Sequence, residues 1–149
     1  MREILFRGQT RRYGEKVRMD GEKVPSNWVY GGVCRGVGDF SIIYGSYDAD
    51  LRSPTEKFVV YTDTLGQFTG LTDMSGKKIF EGDIIECWSE GVKARGTVQQ
   101  NRGGLWIIYP AWQKHIMWGL CPNEDGSTDT EIIGNIHDNP ELLEVSDVH

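Results

Sequence analysis

Gly66-Gln-Phe-Thr-Gly-Leu-Thr-Asp-Met-Ser-Gly-Lys-Lys-Ile-Phe-Glu-Gly-Asp-Ile-Ile-Glu86 is the stretch whose reading decides how this chain is built. Glycine at 66, 70, 76 and 82 marks turns, because a residue without Cβ adopts positive φ or tolerates close strand approach at little steric cost. Phe68, Leu71, Ile79, Phe80 and Ile84 supply apolar anchors between them. The segment reads as a glycine-punctuated turn followed by an entry strand that opens at Ile79-Phe80. It holds almost no catalytic chemistry, which points to a β scaffold that binds rather than reacts.

Working outward, 149 residues suffice for one ordinary core or two small units sharing an interface. The 19 glycines are scattered among short β-branched and aromatic runs, the composition of turns between many strands, so a mainly β fold is expected. Ile4 to Phe6, Trp28 to Val33, Phe40 to Gly45 and Phe58 to Thr62 read as strands of an N-terminal β unit over residues 1–62, with a polar loop from Ser46 to Glu56. A second unit covers residues 63–149. Its strands are Lys78 to Trp88, Ala94 to Gln100, Leu105 to Tyr109, His115 to Leu120 and Thr130 to Ile133, with turns at Asn101 to Gly104 and Asn123 to Gly126. That spacing suggests a small barrel, with Gly96 as a bend or bulge. A short C-terminal helix is expected after Asp138 or Asn139, since Pro140 suits a first helical position, Glu141 complements the positive end, and Leu142, Leu143 and Val145 form an apolar side.

The net charge of -6 disfavours wrapping duplex nucleic acid by bulk attraction. The two ends nevertheless differ in sign. Arg2, Arg7, Arg11, Arg12, Lys16 and Arg18 make the first segment basic, whereas no Lys or Arg follows Lys114 and the carboxylates run from Glu124 to Asp147. Complementary docking and two solvated faces both account for that asymmetry. Cys34, Cys87 and Cys121 form no framework or C-x-x-C pair, so reduced thiols in a cytoplasmic protein are expected. No apolar run reaches the length of a membrane span, and the charges in Met1-Arg-Glu-Ile-Leu-Phe-Arg7 do not suit a signal peptide.

Candidates for chemistry are few. His115 sits in an apolar strand, His137 precedes the helix cap, and no nucleophile motif accompanies either. Cys87, His115, Cys121 and His137 lack the short ligand pairs of zinc sites. Glu81, Asp83 and Glu86 resemble paired carboxylates, but Gly82-Asp83 is more simply a turn whose aspartate accepts backbone N–H bonds. Gly36-Val-Gly38-Asp-Phe-Ser41 lacks the following helix that a phosphate loop needs. No catalytic, cofactor-binding or metal-binding residues are therefore expected. Trp28, Tyr30, Trp88, Trp106, Tyr109, Trp112 and Trp118 remain, either as a stacking surface or as barrel core. Trp112, placed in a loop by Pro110 and Gln113-Lys114, is the aromatic expected to be exposed; Trp112 and Lys114 are taken to border a binding surface, with Arg7, Arg11 and Arg12 as a basic one.

Taken together, Met1-Arg-Glu-Ile-Leu-Phe-Arg7, Trp28-Val-Tyr-Gly31, Gly66-Gln-Phe-Thr-Gly-Leu-Thr-Asp73, Gly76-Lys-Lys-Ile-Phe-Glu-Gly-Asp-Ile-Ile85 and Ile133-Gly-Asn-Ile-His-Asp-Asn-Pro-Glu-Leu-Leu143 resemble the YopX family of bacteriophage and prophage proteins. The resemblance implies a β-rich fold with an SH3-like barrel in the C-terminal part, and a cytoplasmic life in the host bacterial cell. It brings no reaction, cofactor or catalytic residue. The resulting expectation is a non-enzymatic accessory protein that binds a host or phage protein and self-associates as a homo-oligomer through exposed strand edges. A nucleic-acid-binding regulator is the alternative, and no membrane partner is expected.

Overall fold

The structure, a computed structural model, describes residues 4–11, 27–34, 38–52, 54–89, 92–109 and 118–143. They are mainly β, built from antiparallel sheets with no long helix. The chain divides into two compact units, Met1–Phe68 and Thr69–His149, so the division falls a few residues beyond the expected 62/63 boundary and inside a strand.

The first unit contains β1 (Phe6–Arg11), β2 (Asn27–Cys34), β3 (Phe40–Ser46), β4 (Glu56–Tyr61) and the start of β5 (Gly66–Thr72). Hydrogen bonding orders them β4-β3-β2-β1-β5. Strand side chains alternate between faces, so register alone decides which are buried. Val29, Ile43 and Val60 point inward and are fully buried, with Val33, Phe58 and Leu65 packed around them. The sheet curls until Gly8 of β1 lies under Val60 of β4, where a Cβ would come within 3.0 Å of the valine methyl.

Two glycines hold the register of β2 against β3. Gly31 pairs with Gly45, and a Cβ built on Gly45 would stand 1.8 Å from the Tyr30 carbonyl oxygen and 2.7 Å from the Gly31 Cα. No side chain fits there. The backbones approach closely because both partners lack Cβ.

The second unit contains the end of β5, followed by β6 (Lys78–Phe80), β7 (Asp83–Ser89), β8 (Val92–Gln100), β9 (Trp106–Tyr109), β10 (Trp118–Gly119) and β11 (Thr130–Asn135). Its main sheet runs β10-β9-β8-β7-β11, a meander whose last strand returns beside its first. Ile79, Ile85, Cys87, Ala94, Val98, Trp106, Ile108 and Leu120 form the core, with Leu71 and Ile132 packed against it.

The structure corrects several expectations. Gly66 to Gly70 is not a turn but the body of β5, because Phe6 and Arg7 pair with Gln67 and Gly66 and satisfy its backbone. Lys78 to Trp88 is two strands, broken where Gly82 takes φ +94°. There the Gly82 N–H donates to the Val98 carbonyl, 2.9 Å, and its own carbonyl accepts from Ile136 N–H, also 2.9 Å. Gly96 sits in regular register opposite Ile85; the irregularity lies in β11, between Ile132 and Gly134. The short C-terminal helix does begin at Pro140, as expected; its described part, Pro140–Leu143, is 3₁₀, and Val145 lies outside the described residues. Among the described residues no helix is long and apolar enough to cross a membrane.

Gly45→Ala is expected to destabilise the first unit by about 1–3 kcal/mol or more, since backbone must move to admit the methyl. Gly32→Ala, where nothing lies within 4 Å, should stay within about 0.5 kcal/mol of wild type. Chemical denaturation of the two variants reads the difference, and equal stabilities would refute the close-approach account. Gly82→Val should cost about 1–3 kcal/mol through its positive φ; an unchanged melting temperature would show that this turn relaxes freely.

Candidate functional site

The carboxylates that could mimic an acid–base pair are held by structural contacts. Asp83 is buried, and its Oδ2 accepts the Phe80 N–H at 2.8 Å, closing the turn that separates β6 from β7. Glu86 pairs with Arg95, whose Nε donates to Oε2 at 2.8 Å and whose Nη1 donates to the Leu142 carbonyl at 3.2 Å. Asp73, only 2% exposed, accepts from the backbone N–H groups of Ser75 and Lys77 at 2.9 Å and of Ile132 at 3.2 Å. A buried carboxylate surrounded by amide donors fastens a turn to a strand. Among the described residues no cluster of three potential metal ligands occurs.

The distinctive surface lies on the first unit. Phe40, Ile42 and Tyr44 alternate on β3 with the buried Ser41, Ile43 and Gly45, so the three large side chains share the outer face. Phe40 stands opposite Tyr61, Ile42 opposite Val59 and Tyr44 opposite Lys57. Across the other flank, Cys34 stands opposite Ile42 and Gly32 opposite Tyr44. Exposure is 49% for Phe40, 37% for Ile42, 55% for Tyr44 and 60% for Val59, so apolar groups on adjacent strands face solvent together. Single exposed apolar residues are ordinary; a contiguous set marks an interaction surface.

One end of this face is closed by a short groove. The Phe40 and Tyr61 rings lie 5.2 Å apart, tilted by 37°. With Gly38, Asp39, Thr62 and Asp63 they line a depression of about 330 Å3. Its walls are fixed by the 3₁₀ turn Thr62–Thr64. Thr62 N–H donates to the Asp39 carbonyl at 2.8 Å, and the Thr62 hydroxyl reaches the Gly38 carbonyl at 3.2 Å and the Ser41 hydroxyl at 2.8 Å. Thr64 continues the brace, its Oγ1 accepting the N–H of the buried Gln9 at 2.8 Å. On the inner side of β4, Phe58 is met edge-on by Tyr47, which follows β3, at 4.8 Å.

Several sequence candidates are placed elsewhere. Arg7 is 7% exposed, with its guanidinium 4.5 Å over the Trp28 ring, so it presents little cationic surface. Trp106 is buried in the core of the second unit. Trp112, Lys114, Arg12 and His115 lie outside the described residues, as do the side chains of Arg11, Trp88 and Trp118. Phe40, Tyr44, Val59 and Tyr61 do not stand out as a group in the sequence. The strands carrying them are legible in the sequence, but Phe40-Ser-Ile-Ile-Tyr mixes apolar residues on both faces and conceals which face is solvated.

A family model described as YopX protein matches residues 39–144. By structure, the chain is similar to protein EF1440 from Enterococcus faecalis, known from a crystal structure: TM-score 0.45, 20% identity, covering 97% of this chain and 100% of that one. No curated protein matches it in sequence.

The three thiols give a direct check on burial. Cys34 and Cys121 are exposed, whereas Cys87 is buried and its desolvation raises the thiol pKa above the ordinary range. Near pH 8, an aromatic disulfide reagent should therefore label two cysteines quickly in the native protein and the third only on unfolding. Rapid labelling of Cys87 would contradict the packing of β7.

Proposed function

The chain belongs to the YopX protein family, and from that premise we propose that it is a phage or prophage accessory protein that binds an extended polypeptide without catalysing a reaction. The observation that carries this reading is the contiguous outer face of Phe40, Ile42, Tyr44 and Val59, next to the sheet edge formed by β4. A strand at a sheet edge offers backbone N–H and C=O groups to an incoming segment, while apolar groups on the adjoining face accept its alternate side chains. Affinity then comes from the ladder and selectivity from the side-chain contacts. The structural work assigned to Asp73, Asp83 and Glu86 supports the non-enzymatic part, and the family supports a role inside the host bacterial cell. The SH3-like barrel assigned to the second unit fits the five-stranded antiparallel sheet and its returning strand.

Selection from a library of extended peptides tests the proposal. Wild-type protein should enrich sequences with apolar residues at alternate positions. Val59→Asp and Tyr44→Ser, both at exposed sites, should weaken the selected peptides by about tenfold or more without lowering the melting temperature. Their binding should change little between about 50 and 200 mM salt, unlike phosphate-driven binding, which falls steeply. Peptides that bind both variants as well as wild type would overturn the assignment of this face. Steeply salt-dependent retention of DNA or RNA alone would favour a nucleic-acid regulator, and a fall in solution mass on Val59→Asp would identify a second copy as the occupant.

A further inference from the structure

The groove at the end of the aromatic face combines two kinds of group that recognise the same ligand. Phe40 and Tyr61 present aromatic rings, and Asp39 and Asp63 flank them, one immediately before Phe40 and the other two residues after Tyr61. Aromatic faces attract cations through the ring quadrupole, and a carboxylate beside the ring adds a charged hydrogen-bond acceptor. Asp39 is exposed, and none of the ion pairs given by the described residues involves it. The groove is also preorganised. Gly38 takes φ +75° at its rim, and Thr62 ties the Gly38 and Asp39 carbonyls and the Ser41 hydroxyl into one network. A ligand entering it therefore orders little protein.

Taking the polypeptide-binding reading of this face as its basis, we propose that the groove lined by Asp39, Phe40, Tyr61 and Asp63 is a subsite for an arginine side chain of the bound segment. Charge complementarity selects a cation. Shape selects guanidinium over ammonium, because a planar group stacks against a ring while donating in its own plane to a carboxylate, whereas a compact, strongly hydrated ammonium does not. The groove's position sets the register: Phe40 and Tyr61 are the last facing pair of β3 and β4, so arginine belongs at the end of the bound strand that lies beside Tyr61, with apolar side chains following along Ile42, Val59 and Tyr44.

Two octapeptides test the subsite on the full chain. Both alternate Thr with Val and differ only at one terminal position, arginine in one and its neutral isostere citrulline in the other. Titrations followed by NMR report Kd and the residues perturbed. The arginine peptide should bind about three- to fivefold more tightly, shift the signals of Asp39, Phe40, Tyr61 and Asp63, and lose its advantage in Asp39→Asn, a surface substitution that leaves the fold intact. Phe40→Leu should weaken both peptides and the arginine peptide more, because only the cationic side chain gains from the ring quadrupole. Equal affinities for both peptides, with perturbations confined to Ile42, Tyr44 and Val59, would overturn the arginine subsite and leave polypeptide binding standing. Failure of both peptides to bind would overturn the two together.

Discussion

The close approach of Gly31 and Gly45 is the constraint on which the first unit depends. With 1.8 Å between a would-be Cβ and the Tyr30 carbonyl, β2 and β3 can meet in this way only where both carry glycine. Because side chains alternate, that pairing sends Ile43 and Val29 to the core and Phe40, Ile42 and Tyr44 to the surface. A slip of one residue would exchange the two sets. The small inner cluster of Val29, Ile43 and Val60 leaves limited apolar burial to resist such a slip, so the glycine pair and the Thr62 hydrogen bonds share the task of specifying register.

The second unit obtains its order by different means. Its core is larger, and its turns are closed by buried carboxylates: Asp73 holds the backbone amides of Ser75, Lys77 and Ile132, and Asp83 holds that of Phe80. Thr128 accompanies them, donating through N–H and hydroxyl to the Thr72 carbonyl at 2.8 and 2.9 Å. The acidic residues that stand out in the sequence are thus divided between architecture and solvent. Asp125, on the exposed turn from Asn123 to Ser127, has its pKa lowered by the Ser127 hydroxyl and amide it accepts from, a local turn contact of the same kind.

Much of this architecture is legible in the chain. Short β-branched runs separated by glycine turns mark most of the strands, and Gly82-Asp83 reads correctly as a turn whose carboxylate accepts an amide. Local pattern falters where distant partners decide the outcome. Gly66 to Gly70 looks like a turn in isolation and becomes a strand because β1 is available to pair with it. The outer face of β3 and β4 is hidden for a similar reason. Phe40, Ile42, Ile43 and Tyr44 give no alternation to read, and the pairing of Gly31 with Gly45, together with the Thr62 hydrogen bonds, determines which of them meet solvent.

Hydroxyl-radical footprinting of the free protein addresses the central claim most directly, because it reports side-chain exposure without any ligand. The register described here predicts that Phe40 and Tyr44, at 49% and 55% exposure, oxidise much faster than Phe68 and Phe80, at 7% and 2%. Protection of Phe40 and Tyr44 to the level of Phe80 would mean that the face is turned inward or already covered, and would contradict its availability to a partner.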